Sequence, residues 1–258
     1  MNYTYLQEGD KLPAVGVLQK LLNRTGAHLV CDGIFGKRTK AAVVEFQKLR
    51  KLVPDGIVGE VTWPRLFANT NNLRIIDCID VFDPDLLTME AQDIKNVGGN
   101  PFIIGGMSNG VEQAIMNIVG SVTVGSIFLL RFHGHGSPGS AAISGGKYII
   151  PGEHFSSIHT GNITRLRPII RRLWPIFGPY GCVQFMHCQT GRGNYGRNLL
   201  STIADELGVP VTAAKFDQYG GGLTTFRFEG PTFTAIPRGG TLEKWCGGLH
   251  NFAQMSVR

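Results

Sequence analysis

Apolar residues recur at helical spacing in the first quarter of the chain and as short separated runs in the rest. Val15, Leu18, Leu21 and Leu22 share one side of a helix, and Ala41, Ala42, Val44, Leu49 and Leu52, with Val43 and Phe46, give a second amphipathic helix. Around the second helix one pattern occurs twice, as Asp32-Gly-Ile-Phe-Gly-Lys-Arg-Thr39 and as Asp55-Gly-Ile-Val-Gly-Glu-Val-Thr62, offset by 23 residues. Each copy reads as an Asp-Gly turn followed by a helix start, with Gly36 or Gly59 permitting φ > 0. The pattern predicts a three-helix module over residues 1–68, followed by a polar linker at 69–73.

Beyond the linker, runs at 74–81, 101–105, 124–132, 182–187 and 209–214 read as strands. Residues 86–96, 111–119 (capped by Ser108), 163–177 (disturbed by Pro168 and Pro175) and 194–207 read as helices. Two last runs, 223–228 and 232–236, flank Glu229-Gly-Pro and read as a hairpin. Strands alternating with helices predict an α/β domain over 74–258, with a mainly parallel sheet covered on both sides. The run at 124–132 is almost continuously apolar, as a strand buried on both faces requires.

Composition narrows the class. With 43% hydrophobic and 17% charged residues among 258, the chain is not wholly disordered. Its 35 glycines follow no Gly-X-Y period, which excludes collagen. Five cysteines are too few for a disulfide-built scaffold, and the odd number leaves at least one without an internal partner. The net charge of +6 divides as +4 in residues 1–68 and +2 in the remainder, with no dense Lys/Arg stripe. That argues against a nucleic-acid binder and suits an anionic partner such as a bacterial wall polymer. The first residues have no basic start and no apolar core, so no signal peptide is expected. The charge-free stretch at 114–130 is short and contains Asn117, Ser121, Thr123 and Ser126, so it reads as a buried helix and strand rather than a membrane span. The expectation is a soluble protein which, if it works outside the cytoplasm, is carried there by something other than a general signal sequence.

Two strand ends carry candidate chemistry. The first is Phe128-Leu-Leu-Arg-Phe-His-Gly-His-Gly-Ser-Pro-Gly139, and the second is Val183-Gln-Phe-Met-His-Cys-Gln-Thr-Gly-Arg-Gly-Asn-Tyr-Gly196. Sites in open α/β sheets form beyond the carboxyl ends of strands. If these strands are neighbours, an imidazole and the Cys188 thiol meet across the sheet top. A helix beginning near Asn194 and aimed at the sulfur would favour the thiolate. Backbone N–H groups of the glycine-rich turns would hold an oxyanion. A zinc site from His133 and His135 with His187 or Cys188 is a rival, though no His-x-x-x-His pair accompanies it. Six arginines (165, 167, 171, 172, 192 and 197) fall where no acid occurs between Glu153 and Asp205. They read either as a solvated face or, at Arg192 or Arg197, as a contact for a substrate carboxylate.

Two resemblances follow from these residues. Val17-Leu18-Gln19, Gly26, Asp32-Gly-Ile-Phe-Gly36, Thr39, Ala42-Val43, Phe46-Gln47, Asp55-Gly-Ile-Val-Gly59, Thr62-Trp63 and Leu66 resemble the three-helix peptidoglycan-binding domain across residues 7–68. Arg50-Lys51 departs from it, standing where that family usually has a glycine. Its implied role is to hold an enzyme on the bacterial wall, with peptidoglycan as partner. Residues 74–215 resemble the caspase-like cysteine peptidases, the group of caspases, legumain, gingipains and separase. The resemblance rests on His135-Gly-Ser-Pro-Gly139 after one apolar strand and Cys188-Gln-Thr-Gly191 after another, 53 residues apart from His to Cys. The caspase pentapeptide is absent. Papain-type and wall-lytic Cys/His amidases place Cys before His, the reverse of the order here. The resemblance implies an α/β/α sandwich needing no cofactor, with Cys188 as nucleophile, His135 as general base and acid, and the N–H groups of Gly136 and Cys188 as oxyanion donors. It also places Asp217 in a loop that builds the specificity pocket, where it would select a basic or amine-bearing group. The implied activity is amide hydrolysis on peptidoglycan stem peptides, as in a lysin or an antibacterial effector paired with an immunity or inhibitor protein. Alternatives are a protease of protein substrates docked on the wall, a zinc-dependent amidase, and a non-enzymatic wall-binding protein.

Overall fold

A computed structural model describes residues 3–68, 74–81, 83–105, 110–144 and 156–253. The chain divides into two units, Tyr3–Asn72 with Gly240–Arg258, and Leu73–Gly239. The linker at 69–73 and the cap at Ser108 lie outside the described residues.

In the helical unit, α1 (Pro13–Asn23) starts on Pro13, whose fixed φ suits the first helical turn. It buries Val15, Leu18, Leu21 and Leu22, as their spacing predicts. α2 (Lys37–Leu49) follows the first Asp-Gly-Ile copy and α3 (Thr62–Leu66) follows the second. The repeat has a structural cause. Gln19 Nε2 donates to Asp32 Oδ1 at 2.8 Å, while its Oε1 accepts from the amides of Asp32 and Gly33 at 3.0 Å. Gln47 repeats this with Asp55 Oδ1 at 2.8 Å and the Gly56 amide at 2.9 Å. Both glutamines are buried. Each satisfies turn groups that would cost about 1–3 kcal/mol apiece if left unpaired. The clamp also rolls α2. Its buried residues are Thr39, Val43, Phe46 and Gln47, whereas Ala41 and Leu49, expected on the core face, are exposed.

The second unit begins with β1 (Arg74–Asp80), α4 (Pro84–Asn96), β2 (Phe102–Ile104), α5 (Gly110–Ser121) and β3 (Ile127–His133). A small antiparallel sheet follows, of β4 (Gly136–Ser137), β5 (Ser140–Ala142) and β6 (Ser157–His159). α6 (Ile163–Ile170) passes into a 3₁₀ turn at Arg171–Ile176, with Pro168 and Pro175 inside these segments. β7 (Phe177–Phe185), α7 (Gly193–Leu207), β8 (Val211–Ala214) and β9 (Thr232–Ala235) complete the unit. The main sheet runs β2-β1-β3-β7-β8-β9 and is parallel except for β9. The α/β class and mostly parallel sheet are as the sequence predicts.

The final hairpin is not. β9 pairs antiparallel with β8, and Gly222–Thr225 is a 3₁₀ turn. Phe226 and Phe228 are buried, and the Phe226 ring receives the Arg131 guanidinium at 5.3 Å. The apolar run plugs one side of the sheet instead of extending it.

The two faces of the sheet differ. Ile76, Cys78, Leu130, Phe132, Val183, Phe185, Val211 and Ala213 join α5, α6 and α7 in one apolar core. On alternate positions the opposite face carries a polar row in register across five strands, with Asp77, Arg131, Gln184 and Thr212 buried and Thr234 half-buried. Arg131 grips Asp77 with two bonds of 2.5 and 3.2 Å, both side chains fully buried. Among the described residues no helix is long and apolar enough to cross a membrane, and the charge-free stretch divides between α5 and β3.

The sequence carries the second domain to Arg258, but the sheet unit ends at Gly239 and α8 (Leu242–Gly247) packs on α1. Cys246 is the reason. Its Sγ lies 2.3 Å from where a Cβ on Gly16 would stand and 2.9 Å from that of Gly33. Only glycines admit it, and burial pushes its thiol up to about 12. Nearby, Arg24 donates to Leu66 O at 3.3 Å and to Ala253 O at 2.7 Å, which ties the returning segment to the helical unit.

Candidate active site

β3 and β7 are adjacent, with Phe132 opposite Phe185 and their rings stacked at 5.3 Å. His135 and Cys188 each stand three residues beyond this pair. The turns that carry them meet at Gly136. A Cβ there would fall 2.5 Å from Thr190 Oγ1 and 2.8 Å from Cys188 O, so the approach requires glycine. The Gly139 amide donates to Thr190 O at 3.2 Å and joins the same turns.

His135 is exposed, and its Nε2 lies 3.0 Å from Asp83 Oδ2. Asp83 sits past the end of β1, where its Oδ1 caps α4 by accepting from the amides of Asp85 at 3.0 Å and Leu86 at 3.1 Å. The Leu86 amide, and then His135, hold its carboxyl below the ordinary aspartate value. Asp83 is absent from the sequence-derived site. The available signal was an Asp before Pro at a helix start, an N-cap pattern.

Cys188 is partly buried. Its Sγ accepts from the Gln218 amide at 3.3 Å and lies 3.4 Å from Gln218 O. The turn is fixed to the segment after β8 by Gln189 N to Phe216 O at 3.0 Å and Gly191 N to Ala214 O at 2.8 Å. Arg192 and Asp217 are both exposed, and Gln189 links them: its Oε1 accepts from Arg192 Nη1 at 2.9 Å and its Nε2 donates to Asp217 Oδ1 at 2.7 Å. Among the other arginines, Arg167 and Arg171 converge on the buried Glu206 carboxylate, and Arg197 stacks on Phe233 at 5.5 Å.

Two further histidines, His133 and His187, lie below the turns. His133 is buried with Nε2 3.0 Å from Asp77 Oδ1 and Nδ1 3.4 Å from Glu90 Oε1. Burial opposes its charge, but Glu90 and Asp77 outweigh that and raise its pKa to about 9. Burial likewise works against the Asp77 anion, yet Arg131 and His133 hold its pKa below the ordinary value. His187 is buried. Desolvation lowers its pKa to about 4, and its Nε2 donates to Ala142 O at 2.6 Å. It supports the turn above, since a Cβ on Gly136 would fall 2.7 Å from His187 Cβ. Among the described residues no group of three or more His, Cys, Asp or Glu side chains is disposed to hold a metal ion.

The helical unit has its own concave feature. The loop at 25–29 and the outer face of α2 enclose a groove of about 660 Å³, lined by Ala41, Ala42, Phe46 and Leu49 together with Arg38 and Glu45. The rolled face of α2 thus supplies its floor.

Residues 11–66 match the family described as "Putative peptidoglycan binding domain". The chain is 44% identical over 63 residues to an uncharacterized protein of Kitasatospora aureofaciens, covering 24% of this chain and 53% of that protein. It is 40% identical over 79 residues to a zinc D-Ala-D-Ala carboxypeptidase of Streptomyces albus G, covering 30% and 29%. A peptidoglycan-binding protein from Clostridioides difficile, solved with glutamine hydroxamate, is 37% identical over 24% of this chain and 39% of its own, with a TM-score of 0.24. The chain therefore spans about half or less of the relatives it matches.

Proposed function

We infer that this chain is a wall-directed cysteine hydrolase, in which the helical unit holds peptidoglycan and the α/β unit cleaves amide bonds of its stem peptides. The observation that carries this is the pairing of β3 with β7, which sets a His-Gly turn and a Cys turn at equal height on neighbouring strands. Cys188 Sγ attacks the amide carbonyl while His135 accepts the thiol proton. The ring then gives that proton to the departing amine, leaving a thioester, and water activated by the same ring releases the acid and restores the thiol. The N–H groups of Gly136 and Cys188 receive the oxyanion. With Asp83 against Nε2, the ring carries its proton there and offers Nδ1 to the thiol. The family match over residues 11–66 and the groove on α2 support the targeting half. The chemistry is that of a lysin or an antibacterial effector.

The test uses the whole chain with purified sacculi, followed by sedimentation and by mass spectrometry of released fragments, for wild type and Cys188→Ala. Expected are co-sedimentation of both proteins and new peptide ends with wild type alone, abolished by a thiol alkylator and unaffected by a strong chelator. Retained cleavage by Cys188→Ala would sink the cysteine mechanism. Chelator-sensitive cleavage would favour zinc. Cleavage confined to a protein-peptide library would leave a docked protease.

A further inference from the structure

We propose that Gln189, Arg192 and Asp217 form a subsite beside Cys188 that selects a substrate residue bearing both a free ammonium and a free carboxylate. The proposal rests on the hydrolase reading for the adjoining thiol. Gln189 follows Cys188 directly and takes φ +53°, a left-handed conformation disfavoured for a residue with a Cβ. Its backbone N–H donates to Phe216 O at 3.0 Å, which holds the turn to the segment after β8. The side chain lies between the two charges, accepting from Arg192 at 2.9 Å and donating to Asp217 at 2.7 Å. A cation and an anion are thereby kept at opposite ends of one neutral amide instead of closing on each other.

Each charge keeps spare capacity. A guanidinium has five donors, of which Gln189 takes one, and a carboxylate has about four acceptor positions, of which Gln189 Nε2 takes one. Both side chains are exposed. A lone ammonium drawn to Asp217 is repelled by Arg192, and a lone carboxylate drawn to Arg192 is repelled by Asp217. An amino-acid head group satisfies both at once and stays neutral. Within a peptide this describes a diaminodicarboxylic residue linked through one centre and free at the other. Lysine, glutamate and the same residue with its free carboxyl amidated each lack half of the match.

Four peptides differing only at that residue test the idea: diaminopimelate with a free head group, its amidated form, lysine and glutamate. Affinity is read by calorimetry on Cys188→Ala, and kcat/KM on wild type. The free head group should bind about twofold to fivefold tighter than each of the other three, the range expected for the one partly screened charge contact that each of them lacks. Arg192→Gln should erase its advantage over lysine, and Asp217→Asn its advantage over glutamate. Gln189→Ala should weaken both preferences by letting Arg192 and Asp217 pair. Equal affinities, absence of binding by all four peptides, or preferences unchanged in both charge variants would overturn the subsite. If the order of affinities holds but no peptide is cut, or if Cys188→Ala still cuts, the hydrolase reading fails and the subsite stands.

Discussion

Glu90→Gln should reduce the alkaline loss of stability expected of wild type. His133 rises from 6.5 to about 9 because Glu90 and Asp77 face its two nitrogens inside the protein. Such a rise corresponds to about 3 kcal/mol favouring the protonated folded state. Between these pH values the folded state keeps a proton that the unfolded chain releases. The contribution is therefore complete below pH 6.5, declines as pH rises, and is gone above about 9. Removing the Glu90 charge lets the ring shed its proton, which bounds the loss at neutral pH to the same ~3 kcal/mol. Urea unfolding from about pH 6 to about pH 10, followed by far-ultraviolet circular dichroism, measures the slope, and ¹³C-histidine NMR reads the ring directly. A wild-type stability that is flat over this range, a ring titrating near 6.5, or an unchanged slope in Glu90→Gln would refute the reasoning.

His187 predicts the opposite limb: its folded pKa of about 4 against 6.5 makes stability fall by about 3 kcal/mol as pH drops between them, and His187→Leu should lose that slope in the same urea series. Asp83→Asn keeps an oxygen to cap α4 but loses the charge facing His135. It should lower kcat by about tenfold or more, less than the about 10²–10⁴ expected for His135→Ala, while the melting temperature changes little. Gly136→Ala places a methyl 2.5 Å from Thr190 Oγ1, so about 1–3 kcal/mol of stability should disappear in thermal melts and Cys188 should become more accessible to alkylation. Gly16→Ala sets a methyl 2.3 Å from Cys246 Sγ, and limited proteolysis should then cut the segment after Gly239 faster than in wild type.

Much of the architecture was legible in the sequence because it depends on local patterns. Helical spacing marked α1, turn chemistry marked both Asp-Gly-Ile copies, and alternating apolar runs and helices implied a parallel sheet. The two glycine-bearing turns stood out because strand ends rich in His, Cys and Gly have little use in a core. What the sequence could not show rests on pairings between distant residues. Arg131 and Asp77 lie 54 positions apart, and hydropathy cannot distinguish a charge neutralised inside a fold from one in water. The 223–228 run is as apolar as a strand, and only the space around Arg131 turns it into a plug. Asp83 reaches His135 because β1 and β3 are neighbours, and Gln189 separates Arg192 from Asp217 because β7 lies beside β8. α8 returns to α1 because two glycines leave room for the Cys246 sulfur, a fit between surfaces more than two hundred residues apart along the chain. Sequence alone therefore determined the elements and the residue types at the strand ends, since those follow from neighbours along the chain. Tertiary structure decided which side chains face one another, because that depends on strand order and on the volume left between packed faces.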